Sequence, residues 1–294
     1  MPSFDANGTE IYYEQTGSRA EVPLLLIHGL GCQLIHWPKP LITQLTDSGL
    51  RVITMDNRDV GLSEKLGTSP TPNIEEVLAN PLDHEPHYSL ADMAADAVAL
   101  LDHLGQAGAH IVGLSLGGAI AQHMAIEYPQ RVYSLTSIMS TTGNPDLPPG
   151  QADAYAAFIS TPPPDRARAI AHNSHGWQTI GGPHYDSTLY GLARMSEPAY
   201  HRGFCPSGVA RQLLALLTAP PRQSLLGRVS APSLVIHGAA DPLVPLCAGE
   251  ETAACIPDAE LHVIDKMGHD LPDPLLGEIA DRIIALVHTV SITR

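Results

Sequence analysis

The sequence predicts an α/β protein: a mostly parallel eight-stranded sheet flanked by helices, with a helical segment inserted late in the chain. Three observations predict it. The stretch His110 to Ala121, HIVGLSLGGAIA, reads as a strand, a tight turn carrying a serine, and a small-residue helix. Apolar runs that end in turn residues alternate with helical patterns on both sides of it. Between about Thr141 and Gln223 the strand signals stop, and prolines and short helical patterns take over.

In chain order, Asn7-Gly8 marks a type I′ turn between Ser3-Phe4-Asp5 and Ile11-Tyr12-Tyr13, which makes the first two strands a hairpin. Leu24 to Ile27 is a continuous apolar run, as expected of a strand covered on both faces, and it ends in His28-Gly29-Leu30-Gly31. Trp37-Pro38 opens a helix running to about Thr46, and Arg51 to Asp56 forms the next strand. In the loop that follows, Asp56 and Arg58 are expected to pin the chain as an ion pair. An excursion from Pro70 to Pro86 leads to Ser89, the cap of a helix ending near Leu104 with Met93, Ala97, Leu100 and Leu101 on its core face. After the serine turn and its helix, which stops at Tyr128-Pro129, come strands at Val132 to Ile138, Pro232 to Gly238 and Glu260 to Asp265. A helix from about Leu275 to Thr289 closes the alternation. The expected division is a core of residues 1–140 and 225–294 with a lid of 141–224. Phe158, Trp177, Tyr190, Met195 and Phe204 in the lid are either pocket walls or the lid's own small core.

Composition narrows the function classes. A chain of 294 residues with 44% hydrophobic content can bury a large core, and its net charge of −15 argues against nucleic acid and anionic membranes as partners. There is no charged-then-apolar leader at the N-terminus and no apolar run of the ~20 residues needed to span a bilayer. The four cysteines, Cys32, Cys205, Cys247 and Cys255, form no C-x-x-C pair and read as reduced thiols of a cytoplasmic protein. The 15 histidines show no compact metal pattern, so no metal or cofactor is expected.

The serine turn carries the chemistry. In Gly113-Leu114-Ser115-Leu116-Gly117 the serine must adopt a strained backbone to stand at the end of a strand, and the flanking glycines avoid collisions with the neighbouring strand and helix. A G-x-S-x-G alone is a weak signal, and the bland reading is a glycine-rich turn with a solvated serine. Two further loops strengthen it. Asp241 and His269 each follow a predicted strand, so all three side chains fall at one edge of a parallel sheet, in the order Ser, Asp, His. Ser115 is then the expected nucleophile, His269 its base and Asp241 the group that orients the base. The backbone N–H groups of Leu116 and Leu30 are the expected oxyanion donors. Gly29, Cys32, Met139, Trp177 and Val244 are the expected pocket residues. Among rivals, Asp146 lacks the strand–turn setting, and Asp265 and Asp270 lie too close to His269 in sequence to orient it. His237 and His262 fall within strands and are expected to pack, and His28 is expected to brace its loop.

Several of these segments carry a resemblance: Trp37-Pro38, Asp56-Asn57-Arg58-Asp59-Val60-Gly61-Leu62-Ser63, Gly113 to Gly117, Pro232 to Ile236, Asp241-Pro242 and Gly268-His269. Over nearly its whole length the chain resembles the α/β-hydrolase superfamily, and within it the aclacinomycin methylesterase-like carboxylesterases. Many relatives carry Gly where Asp59 stands, and the methylesterase-like branch is similar to this chain there. The resemblance implies a metal-free esterase with Ser115 as nucleophile, His269 as base and Asp241 as orienter, while the lid shares too little with the family for a substrate to carry over. The expected substrates are small to medium carboxylic esters, methyl or short-chain acyl esters among them, and the expected state is a monomer or homodimer. Lactonase, perhydrolase and carbon–carbon bond hydrolase activities share the triad and stay open. A non-catalytic binding protein of the same fold is the alternative from another class.

Overall fold

The computed structural model describes residues 2–67 and 73–290, so the start of the expected Pro70 to Pro86 excursion lies outside the described residues. The strands are β1 (Ser3–Ala6), β2 (Thr9–Thr16), β3 (Val22–Ile27), β4 (Leu50–Met55), β5 (Ala109–Leu114), β6 (Val132–Ile138), β7 (Ser233–Gly238) and β8 (Glu260–Ile264). They form one eight-stranded sheet in the order β1-β2-β4-β3-β5-β6-β7-β8. The β1–β2 and β2–β4 pairs are antiparallel, and every pair from β4 to β8 is parallel. Asn7 and Gly8 take the positive φ values that the hairpin turn demands.

Helices cover both faces of the sheet, which is why its central strands can be uniformly apolar. The helices of the core are α1 (Lys39–Asp47), α2 (Ile74–Ala79), α3 (Leu90–His103) and α4 (Leu116–Glu127). The segment between β6 and β7 is helical: α5 (Ala152–Phe158), α6 (Arg166–Ile180), α7 (Ser187–Tyr190), α8 (Ser196–Gly203), α9 (Pro206–Leu217) and α10 (Gln223–Leu226). Then α11 (Leu246–Cys255) joins β7 to β8, and α12 (Leu276–Thr289) ends the described chain. On one face Met93, Ala97, Leu100 and Leu101 of α3 pack with Ile120 and Met124 of α4 against Leu25, Ile53 and Ile111. The opposite face receives Leu41 and Leu45 of α1 and Leu276, Ile279, Ile283 and Val287 of α12, the stripe of a half-buried helix. The capping box Ser89/Asp92 starts α3, with the Asp92 N–H donating to Ser89 Oγ. No described helix is long and apolar enough to cross a membrane.

The loop after β4 corrects one expectation. Asp56 and Arg58 do not pair with each other. Arg58 makes a bidentate bond to Asp96 on α3, at 2.7 Å for both contacts. Asp56 instead accepts Arg202 of α8 at 2.7 Å and the N–H groups of Leu34 and Leu62. Next to them Asp59 receives two N–H groups of Arg211 on α9, the Tyr88 hydroxyl and the Leu66 N–H. Side chains at neighbouring positions of one loop therefore point to different helices, two of them in the lid. Asp59 has φ +74, a backbone state natural to glycine, and its four hydrogen bonds hold a carboxylate there.

Candidate active site

Ser115 sits between β5 and α4 with φ +54 and ψ −118, a strained conformation costing on the order of 1–3 kcal/mol that the surroundings must impose. The glycines show how. A Cβ on Gly113 would collide with the Gly117 carbonyl, and one on Gly117 with the carbonyls of Ile27 and His28. A Cβ on Gly29 would stand 3.1 Å from the Ser115 Cβ, so the loop after β3 passes directly over the serine. Ser115 O accepts the Ser140 hydroxyl at 2.7 Å, tying the turn to the end of β6.

Asp241 follows β7 by three residues and His269 follows β8 by five, so both stand at the same sheet edge as Ser115. The Asp241 side chain is fully buried; its Oδ1 accepts the N–H groups of Leu243 and Val244 at 2.9 and 2.8 Å. Its Oδ2 lies 2.7 Å from His269 Nδ1. A carboxylate there fixes a proton on Nδ1 and leaves Nε2 as the nitrogen that can accept one. The N–H groups of Leu30 and Leu116 have no acceptor among the described residues. Buried or half-buried amides left free beside a serine are donors in want of an anion.

His28 is wholly buried under this loop. Its Nδ1 accepts the Gly29 N–H at 2.8 Å, and its ring meets Trp37 edge-on at 4.8 Å. Burial first, then His36, drive its pKa well below that of a free histidine, so it is a neutral brace. His237 does more than pack within its strand. Its Nε2 is hydrogen-bonded to the Val244 carbonyl (2.8 Å) and also comes within 3.8 Å of Asp241 Oδ2. Burial lowers its pKa, so it faces the aspartate without a charge. His262 leaves the site and pairs with Glu278. Asp146 and Asp265 are exposed, away from any such role.

A cavity of about 390 Å³ opens at Ser115. Leu30, Val244 and Ser115 line it together with Tyr155 of α5 and Leu213 and Leu216 of α9. A second, smaller one of about 100 Å³ is lined by Cys32 and Trp177, and the two share Leu30, Phe158 and Ile159 as a wall. Of the expected pocket residues, Val244 thus lines the serine's own cavity, Cys32 and Trp177 line its neighbour, and Gly29 packs on the serine. Met139 corrects the expectation: it is fully buried in the hydrophobic core beneath the sheet edge and lines neither cavity. Tyr190 corrects another, being 45% exposed on the lid surface. The part played by α9 is one that sequence reasoning misses, although its apolar spacing at Leu213, Leu214, Leu216 and Leu217 marks a packing face. Among the described residues no three His, Cys, Asp or Glu side chains gather to hold a metal ion.

Known proteins are similar to this chain in sequence and in fold. Rhodomycin D methylesterase DnrP of Streptomyces peucetius is 28% identical, with 96% of each chain covered. A 2-hydroxy-6-oxononadienedioate/2-hydroxy-6-oxononatrienedioate hydrolase of Paraburkholderia phymatum is 27% identical over 89% of this chain and 86% of its own. The solved meta-cleavage product hydrolase of Pseudomonas fluorescens IP01 superposes with a TM-score of 0.74 at 20% identity, over 98% of both chains, a likeness of fold. The family model for the alpha/beta hydrolase fold matches residues 22–181, from β3 through the serine turn to α6. More than half of the chain, the strained serine turn included, is thereby accounted for, and the chain belongs to the α/β-hydrolase fold family.

Proposed function

We propose that the protein hydrolyses carboxylic esters through a covalent acyl-enzyme. Ser115 Oγ attacks the carbonyl while His269 Nε2 takes its proton, and Asp241 stabilises the imidazolium that forms. The Leu30 and Leu116 N–H groups receive the oxyanion. The imidazolium returns its proton to the leaving alcohol, and water then releases the acid by the same route. The observation that carries this reading is the 2.7 Å bond between His269 Nδ1 and the buried Asp241, standing at the same strand ends as a serine held at positive φ.

A second reading follows the dienedioate hydrolases, whose substrates are doubly anionic by name. The cavity at Ser115 disfavours it: among the described residues no lysine, arginine or histidine lines it, and a carboxylate buried there would lack a cation. Its apolar lining suits a neutral ester with the acid limb in the larger cavity. Leu78 and Leu217 line that cavity while remaining 37% and 41% exposed, so they flank its mouth.

The test is a panel of methyl and p-nitrophenyl esters graded in acyl length, run beside Ser115→Ala and fluorophosphonate labelling. Ser115→Ala is expected to lose on the order of 10⁴-fold or more in kcat, and labelling is expected at Ser115 alone. Full turnover by the alanine variant, or cleavage of dienedioates in preference to every ester, would reject the reading.

A further inference from the structure

The loop that carries His269 is held by the lid. The His269 N–H donates to the carbonyl of Ile180, the last residue of α6, at 2.7 Å. Gly268 lies against the Gly181-Gly182 turn so closely that a Cβ on it would strike the Gly181 carbonyl. Asp270, the next residue, reaches into the lid with its carboxylate. It accepts the hydroxyl of Ser187, the first residue of α7, and the N–H of Leu192 at 3.1 Å, besides its neighbour's N–H at Leu271. Both Asp270 and Ser187 are 2% exposed, and Gly191 is the residue whose missing side chain makes room for the carboxylate.

Asp270 has no arginine or lysine partner among the described residues. A buried carboxylate without a cation is expensive unless several donors converge on it, and here the lid supplies two of the three. If its purpose were anchorage alone, an apolar residue packed against α7 would serve as well or better. What the hydrogen bonds add is direction. Three donors fix the orientation of residue 270, and a backbone bond fixes residue 269, so together they set where the imidazole stands.

We infer that Asp270, clamped by Ser187 and the Leu192 amide of the lid, is a positioning residue that holds the His269 imidazole in reach of Ser115. The inference rests on the esterase reading. The lid segment from Ile180 to Leu192 is then part of the catalytic scaffold, and its docking is a condition for proton transfer. A displacement of ~1 Å in a reacting group costs about 10²-fold, so loosening the clamp shows in kcat well before it shows in substrate binding.

The titratable groups that face His269 are Asp241, Asp270, His28 and His237. Of these Asp270 has its carboxyl pKa pushed up by burial, against the pull of its hydrogen bonds and of His269. Asp270→Asn replaces the carboxyl and weakens the clamp, whereas Ser187→Ala weakens the clamp and leaves the carboxyl in place. Both variants are measured as kcat and KM per fluorophosphonate-titrated site. The expected result is a ten- to hundredfold fall in kcat with KM within about twofold for both. A loss of thermal stability with wild-type kcat per titrated site in both would overturn the inference, leaving Asp270 a purely structural anchor. Ser187→Ala deletes one hydroxyl, and its kcat decides between the two roles even where Asp270→Asn does not fold. A wild-type enzyme that fails to label at Ser115 removes the esterase reading itself, a result distinct from labelled variants with unchanged kcat.

Discussion

Two buried aspartates stand at the same edge of the sheet, one after β4 and one after β7, and their surroundings are opposite. Asp59 is saturated by a guanidinium, a phenol and a backbone amide, with Arg211 bidentate to it from the lid. Asp241 has two backbone amides and an imidazole, and no arginine or lysine within ion-pair distance among the described residues. A permanent cation makes Asp59 an anchor whose charge is already spoken for. Among the described residues, the positive charge that the proposed mechanism offers Asp241 is the one forming on His269, which would reserve its attraction for that moment.

Each prediction probes that contrast. The largest effect is expected from Asp241→Asn, which keeps the shape but loses the charge and the tautomer control: kcat falls on the order of 10⁴-fold with little change in the urea midpoint. An intact kcat would equate Asp241 with Asp59 and erase the distinction. Arg211→Met is expected to do the reverse. Stranding the Asp59 carboxylate costs about 3–5 kcal/mol of stability by urea unfolding, and the double variant with Asp59→Gly, a residue at ease with φ +74, regains part of it.

Acid separates stability from chemistry in a third way. Burial pushes the pKa values of His36 and His110 down to about 4, so the folded protein binds fewer protons than the unfolded chain below pH ~6.5. Stability is therefore fully present above that pH and lost as pH falls toward 4, by at most roughly 3 kcal/mol for each histidine. Thermal midpoints measured from pH 7 to 4 check it, and His110→Gln is expected to flatten the fall. The smallest effect is at the cavity mouth. Leu217→Ala is expected to change the preference between short and long acyl esters several-fold, about 1 kcal/mol, with the triad untouched; equal changes for all esters would place Leu217 outside the acyl path.

Legible in the sequence is whatever a few adjacent residues decide. The serine turn announces itself because glycines 113 and 117 are needed within two positions of Ser115, and Ser89 with Asp92 likewise encodes a helix start in four residues. Strand ends put Asp241 and His269 on one edge because parallel strands all finish on the same side. Partners across the chain are not legible. Arg202 and Arg211 meet Asp56 and Asp59 from 146 and 152 residues away, and nothing local to the loop after β4 distinguishes those pairings from an Asp56–Arg58 pair. Met139 escapes local reasoning for a related cause: it follows a strand at the active edge, but a φ of +40 sends its side chain down into the core. His237 reads as packing because its strand is buried, and only the return of the chain after β7 brings Asp241 beside it.

The strained turn at residue 115 is moulded by its neighbours, above all by glycines that leave no latitude to the carbonyls around them, and owes little to the hydroxyl it displays. Alanine in that place is expected to hold the same posture and, on the proposed mechanism, to lose nearly all turnover. Such an inert copy, soaked with a candidate ester, should retain the uncleaved molecule in its resting pose, so that the natural ligand could be fished from a mixture and identified by mass.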